Sequence, residues 1–481
     1  MRPLKMIKLT IARSKLSSRG IGSEANPLEA WIHGQVRKEF SSHPGLREAV
    51  GRSRLVEVTR EDLETYQLHR MREQMAYVRK NSIYYRRTFE EVGISPSDIQ
   101  TFHDLTRVPL TEPEDLAEEP FHFLCVSQGK VSRPFTTSGT SGRRKRIFFT
   151  QDDLLRVIDA ISAALRTVGM TEEDTLQIMF PTIASWDPGY MLDNACKIAG
   201  LNSVIADTPD VEEQLRIMRE SGTSVLIGLT SFIHRITMLA REDHDLREMG
   251  IKVIILSAEP LPESMRREIE RSWGCKALGQ FGLTEMGLAN AIECPVQDGL
   301  HVNEADLLVE VIDPDTGEHT APMEEGELVL TSLKAQGTPL IRYRTYDLTS
   351  YIPSPCACGF ATIGKIGKIG GRRDLQTKIG FGEKVYPLLF DEAILSVPGV
   401  VGYQTRIERQ GFRDRLVFRV ELIGDPEEGE GRIKEAVKGL DEIRSGLERD
   451  LLEEPVVEVL EPGSVDYVPK SQLIVDTRER D

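Results

Sequence analysis

The chain has 481 residues with 60 Lys and Arg against 76 Asp and Glu, a formal charge of -16, and is 40% hydrophobic and 28% charged. That length exceeds one ordinary core and predicts two or three domains. The acidic balance argues against general attraction to nucleic acid or anionic lipid, and no apolar run approaches the roughly 20 residues of a membrane span.

The first twenty residues carry Lys5, Lys8, Arg13, Lys15 and Arg19 without a continuous apolar stretch or a small-residue cleavage site, so no secretory leader is expected and the cytosol is the expected compartment. Residues 1–60 have weak periodicity and several Ser, Gly and Pro, and read as an extension of mixed order. Thr59 is a candidate cap for a helix through Arg86, with Leu63, Tyr66, Met71, Met75, Val78 and Tyr84 on its apolar face. Short β-branched runs at 175–180, 224–227 and 253–256 then alternate with amphipathic stretches at 212–219 and 263–273. This alternation predicts an α/β fold with a parallel sheet. Residues 300–350, with apolar runs at 307–312 and 328–331 and the turn Asp313-Pro314-Asp315-Thr316-Gly317, predict a β-rich subdomain. The Gly- and Lys-rich stretch 363–373 separates this from a last segment with its own strands and helices. The expected division is an extension over 1–60, a large domain over 61–370 and a small α+β domain over 371–481.

Four motifs carry chemistry. Thr136-Thr137-Ser138-Gly139-Thr140-Ser141-Gly142-Arg143-Arg144-Lys145 combines glycines that turn backbone amides toward an anion, hydroxyl donors and a basic cluster, a composition suited to a polyphosphate. The rival reading is a flexible surface turn; the Gly-Lys-Ser/Thr ending of a Walker loop is absent. The others are Gln280-Phe281-Gly282-Leu283-Thr284-Glu285-Met286-Gly287, preceded by Ser257-Ala258-Glu259-Pro260; Ile341-Arg342-Tyr343-Arg344-Thr345-Tyr346-Asp347-Leu348; and Gly371-Arg372-Arg373-Asp374.

In this order the set resembles the adenylate-forming superfamily, and residues 77–87, the turn 92–96 and Leu105–Leu110 leading into Thr111 resemble its phenylacetate-CoA ligase branch. The resemblance implies that Thr137, Ser138, Gly139, Thr140, Ser141, Gly142 and Lys145 grip the ATP phosphates. Ala258, Glu259, Pro260, Phe281 and Gly282 would line the adenine site, and Asp347 would accept both ribose hydroxyls, with Arg372 also at the nucleotide. Thr284 and Glu285 would act at the α-phosphate, Glu285 holding Mg²⁺ through a hard oxygen. Val468-Pro469-Lys470-Ser471-Gln472-Leu473-Ile474-Val475-Asp476 resembles the family's ending, and makes Lys470 the cation that neutralises charge as the acid attacks the α-phosphorus. Asp374 falls at the hinge about which a mobile C-terminal lid turns between half-reactions.

The implied activity is AMP-forming activation of a carboxylic acid, aryl or arylacetic, followed by transfer to CoA. Trp186, Tyr190 and Phe232 are the candidate aromatics of the acid pocket, with core packing as their alternative. Rival readings are an acceptor other than CoA and a nucleotide-binding pseudo-enzyme, the latter motivated by departures from the family pattern at Arg144, Tyr346, Pro469 and Leu473. A homodimer is implied by resemblance alone. Six Cys are too few for a disulfide scaffold. Cys356 and Cys358 on a short turn, with Cys294 and His301 upstream, offer four N/S ligands for a closed structural zinc site, against the alternative of free thiols and an unrelated histidine.

Overall fold

A short run that is apolar at every position suits a strand covered on both faces, and the runs of the central segment form a parallel sheet for that reason. The structure is a computed structural model that describes residues 26–137, 144–180, 188–380, 382–464 and 474–478. Strands Asn202–Ile205, Thr175–Met179, Val225–Leu229, Val253–Ser257 and Lys276–Phe281 lie side by side in that order, all parallel. In register, Ile178 faces Ile227 and Ile227 faces Ile255. Side chains alternate across the sheet. Ile178, Ile227 and Ile255 enter one apolar cluster with the helix Gln151–Thr167, whereas Leu226 and Ile254 enter another with the helices Thr230–Ala240 and Glu263–Trp273.

The same sheet continues without a break through antiparallel strands Ala291–Glu293, Leu300–Val302, Lys365–Ile366, Tyr343–Ile352, Glu325–Ser332 and Leu307–Ile312. The β-rich stretch after residue 300 is therefore the far half of one sheet. Its backbone hydrogen bonds run straight into those of the parallel strands through the pairing of 280–281 with 291–292. That continuity brings the third motif beside the second.

At the N-terminal end Thr59 caps a helix in a reciprocal box with Asp62, and Leu63, Tyr66, Met71, Met75 and Val78 are buried. The helix stops at Asn81. Ser82 starts a second one, Ile83–Val92, its Oγ accepting from the Tyr85 amide at 3.2 Å. A local serine cap competes with continuation of a helix, so the single helix expected through Arg86 is two. Residues 27–50 also depart from the expected mixed order. They form helices Pro27–Ser42 and Pro44–Val50, and Leu28, Ile32, Val36 and Phe40 join the same buried cluster as Ile158, Ile161 and Leu176. An apolar stripe one residue wide among polar neighbours gives a weak periodic signal, which is why composition hid it.

The C-terminal residues build a separate four-stranded sheet in the order Val456–Leu460, Arg413–Leu422, Val400–Gln410, Ile474–Asp476, with a central antiparallel hairpin and parallel outer strands. Phe390, Ile394, Ile407, Phe418, Ile433 and Val437 form its own core, which Met265 of the large unit also joins. Glu392 accepts from the amides of Glu263 and Ser264 at the start of the helix Glu263–Trp273, and Arg235 is ion-paired with Glu421. Among the described residues no helix is long and apolar enough to cross a membrane.

Candidate active site

The Ser/Thr/Gly string is flanked by a strand pair. Strands Arg133–Thr136 and Arg146–Phe149 pair antiparallel, and the Thr137 amide extends the stem by donating to the Lys145 carbonyl at 3.0 Å. The Lys145 amide returns a bond to Thr137 Oγ1 at 3.2 Å. Ser138, Gly139, Thr140, Ser141 and Gly142 lie outside the described residues. From the foot of the loop the Lys145 side chain crosses to the second motif, where Nζ lies 2.7 Å from Glu285 Oε1. Tyr343 of the third motif closes the group: its hydroxyl accepts from Lys145 Nζ at 3.0 Å and donates to Glu285 Oε1 at 3.1 Å. Burial pushes the Glu285 carboxyl up, but the Lys145 ammonium and the Tyr343 hydroxyl more than offset it and hold the group below its ordinary value. Thr284 precedes it in the short 3-10 turn Thr284–Met286, which Gly287 ends in the left-handed region.

Beside this group, Ala258, Glu259, Pro260, Phe281, Gly282, Asp347 and Arg372 all line one pocket. Three of the four motifs thus meet at the carboxyl ends of the parallel strands, the usual place for a ligand in an open α/β sheet. Ala258 takes a positive φ of 65° in the turn that follows Val253–Ser257. Gly282 is required by close approach, since a Cβ there would meet the Leu288 carbonyl oxygen at 1.8 Å. Arg372 pairs in register with Asp347, reaches its Oδ1 at 3.5 Å, and grips Asp374 with two bonds of 2.9 Å. Gln280, which opens the second motif, lines the pocket as well, and so do Arg266, Glu293 and Lys368, which lie outside the four motifs. Arg266 and Glu293 form a buried two-bond ion pair at 2.8 and 3.0 Å. No local motif marks that pair, because its members lie on a helix and a strand that only the sheet brings together.

Ala258, Gln280 and Gly282 are shared with a second, apolar pocket of about 640 Å³ counting its open mouth. Its walls are Ile161, Leu165, Phe180, Leu192, Ile227, Ile255, Leu288 and Ile292, with no charged side chain among the lining residues. Of the three aromatics expected to form an acid pocket, the two described ones do not line this pocket. Phe232 packs with the cluster on the other face of the sheet, and Tyr190 is exposed on the helix Pro188–Ala199. Trp186 lies outside the described residues, as does Lys470. For Phe232 the reason is strand alternation: Ile227 and Ile255 point to the pocket, so Leu226 and Ile254 point to the opposite face, where the cluster that Phe232 packs against lies.

Tyr346, one of the departures from the family pattern, adopts φ 62°. Its single hydroxyl proton is shared between Glu112 Oε2 at 3.1 Å and Glu114 Oε2 at 2.9 Å, and the Arg344 guanidinium lies 5.5 Å from its ring centroid. The left-handed conformation costs a residue with a Cβ about 1 kcal/mol, less than the ring contacts and one charge-assisted bond shared by two carboxylates return. Tyr346→Gly is therefore expected to lower stability by about 1 kcal/mol in urea denaturation; a gain would show that the strain outweighs the contacts.

Cys294, His301, Cys356 and Cys358 converge. Cys294 Sγ lies 4.0 Å from Cys356 Sγ, Cys358 Sγ lies 3.4 Å from His301 Nε2, and the four ligand atoms lie within 4.8 Å of one another. These are separations at which one tetrahedral ion reaches all four. Phe360 stacks on the His301 ring at 3.7 Å. Burial first, then the Lys365 ammonium, press the imidazole down to about 3 and keep it neutral, the state a metal needs. Cys125 and Cys196 are buried and Cys275 is half-buried, away from this group.

The family model for AMP-binding enzymes matches residues 134–334, which hold the first two motifs. A phenylacetate-coenzyme A ligase of Thermus thermophilus is 30% identical over 370 residues, covering 76% of this chain and 82% of that protein. One of Aromatoleum evansii is 28% identical over 431 residues, covering 88% and 96%. Among solved structures, 2-hydroxyisobutyryl-CoA ligase in the postadenylation state with 2-HIB-AMP superposes with a TM-score of 0.75 at 22% identity, covering 86% of this chain and 90% of that one. With three motifs gathered on one pocket and this identity sustained over most of both proteins, the chain belongs to the phenylacetate-coenzyme A ligase family of AMP-binding enzymes.

Proposed function

We propose that the protein activates a carboxylic acid with ATP as an acyl-adenylate and then transfers the acyl group to the thiol of coenzyme A. The observation that carries the reading is the pair of abutting pockets, one polar and motif-lined and one apolar, that share Ala258, Gln280 and Gly282. Their junction is where an acyl–nucleotide bond would lie. A carboxylate oxygen attacks the α-phosphorus and pyrophosphate leaves; the thiolate sulfur then attacks the acyl carbon and AMP leaves with the electron pair.

Asp347, an acceptor at the pocket wall, suits the ribose hydroxyls, and Lys145 suits the phosphates. Glu285 presents the hard oxygen that Mg²⁺ prefers, and this ion when bound would neutralise phosphate charge. Thr284, one residue before it, falls at the same turn. Lys470 remains the proposed cation of the first half-reaction, on a lid over 371–481 that turns about Asp374. Apart from its carboxylate the acid is apolar and uncharged, aryl or arylacetic, because the second pocket offers it aliphatic walls and Phe180. Cys294, His301, Cys356 and Cys358 fit a structural zinc ion in ligand type and spacing, and such an ion would tie the strand-rich half of the sheet to the turn after Glu285.

The test is pyrophosphate release with Mg-ATP across aryl, arylacetic and short-chain acids, each with and without coenzyme A. Turnover with an apolar acid that rises with coenzyme A is expected. Release indifferent to coenzyme A would assign another acceptor, and no release with any acid would leave a nucleotide-binding protein without ligase activity.

A further inference from the structure

The contact between Lys145 and Glu285 sets two roles of the site against each other. Lys145 ends the proposed phosphate loop and Glu285 is the proposed metal ligand, yet each is engaged by the other at 2.7 Å. Glu285 is buried, and Lys145 is the one cationic side chain within 4 Å of its carboxylate among the described residues. A buried carboxylate without a partner is costly, so an ammonium beside it stabilises it. The same ammonium repels a second cation brought to that carboxylate. Tyr343, 1% exposed, fixes the geometry: one hydroxyl accepts from the ammonium at 3.0 Å and donates to the carboxylate at 3.1 Å, while the ammonium sits 5.7 Å from the ring centroid.

Resting on the adenylation reading above, we propose that Lys145 is a resident counter-cation of Glu285 that gives up its place to Mg²⁺ when the magnesium nucleotide binds, and that Tyr343 is the positioning residue for this exchange. As the ammonium passes to the phosphates, the carboxylate keeps the Tyr343 hydroxyl bond and accepts the metal. Charge on the buried carboxylate is balanced before and after. Free ATP brings no ion for Glu285, so drawing Lys145 onto its phosphates strands the carboxylate beside four negative charges.

A pure salt bridge and an exchange site differ in one measurable respect. If Lys145 holds the metal's place, removing it creates metal affinity. Mn²⁺, a hard paramagnetic substitute for Mg²⁺, is titrated by electron paramagnetic resonance into the nucleotide-free full chain at pH 8, with the Cys/His group left as isolated in every sample. Lys145→Met is expected to bind Mn²⁺ at least about tenfold more tightly than the wild type. By calorimetry Tyr343→Phe, which keeps the ring and should melt within a few degrees of the wild type, is expected to bind Mg-ATP about tenfold more weakly with an unchanged KM for the acid. No gain of Mn²⁺ affinity in Lys145→Met, or unaltered Mg-ATP binding by Tyr343→Phe, overturns the exchange while a wild type that binds Mg-ATP keeps the adenylation reading. A wild type that binds no magnesium nucleotide overturns both.

Discussion

Replacing Glu285 by glutamine is expected to lower kcat/KM for ATP by about 10²–10³-fold, the size expected when one preorganised charge is lost from a site where charge develops. Glutamine keeps the shape of the side chain and can still accept from Lys145 and Tyr343, which hold the native carboxylate at 2.7 and 3.1 Å. Folding should therefore survive, and the effect should fall on the chemical step. It separates two roles that the geometry alone leaves joined. As a mere partner for Lys145, Glu285 would be replaceable with a loss of a few-fold at most. As the hard oxygen for a divalent ion it is not, because a neutral amide oxygen offers that ion far less charge. Pyrophosphate release at saturating acid, with ATP and total magnesium varied separately, distinguishes these; activity within threefold of the wild type would remove Glu285 from the metal role.

The second large effect is expected at the cysteine and histidine group. Cys356→Ser should reduce bound zinc from about one ion per chain to a small fraction and lower the melting temperature by about 5–10 °C. The group closes three separate stretches of chain: Cys294 follows the strand Ala291–Glu293, His301 lies within Leu300–Val302, and Cys356 and Cys358 lie on the turn after Tyr343–Ile352. Without an ion, three thiols and an imidazole are packed together with few donors to satisfy them. Stripping the wild type with a chelator should reproduce the loss, and zinc should restore it in the wild type alone. Elemental analysis that finds no zinc in freshly isolated protein, or a full zinc content in the variant, would leave the four residues a thiol cluster.

The parts of the fold that could be read from the chain are those whose signal is local. Val253–Ser257 is buried at every position, so its apolar run carries the strand by itself. Thr59 and Asp62 lie three residues apart and make their cap within one turn. Cys356 and Cys358 belong to one turn, and soft ligands so close constrain their chemistry before any fold is known. The nucleotide-pocket residues could be listed because each motif is contiguous and resembles a known pattern, although nothing within a motif states how far it lies from the next.

What sequence by itself carries, then, is the kind of chemistry to expect: a string whose composition suits a polyphosphate, an acidic residue suited to a hard cation, an acceptor suited to hydroxyls and a group of soft ligands, on an α/β sheet. Tertiary structure alone decided which residues meet. Tyr343 reaches Lys145 across 198 positions and Glu285 across 58, and its tyrosine pattern looks the same whether the ring faces a nucleotide site or the core. The apolar pocket was decided in the same way, since the strand pleat sends Ile227 and Ile255 to one face and Leu226 and Ile254 to the other. A run apolar on both faces carries no mark of which face borders a cavity; that depends on where the next helix leaves a gap.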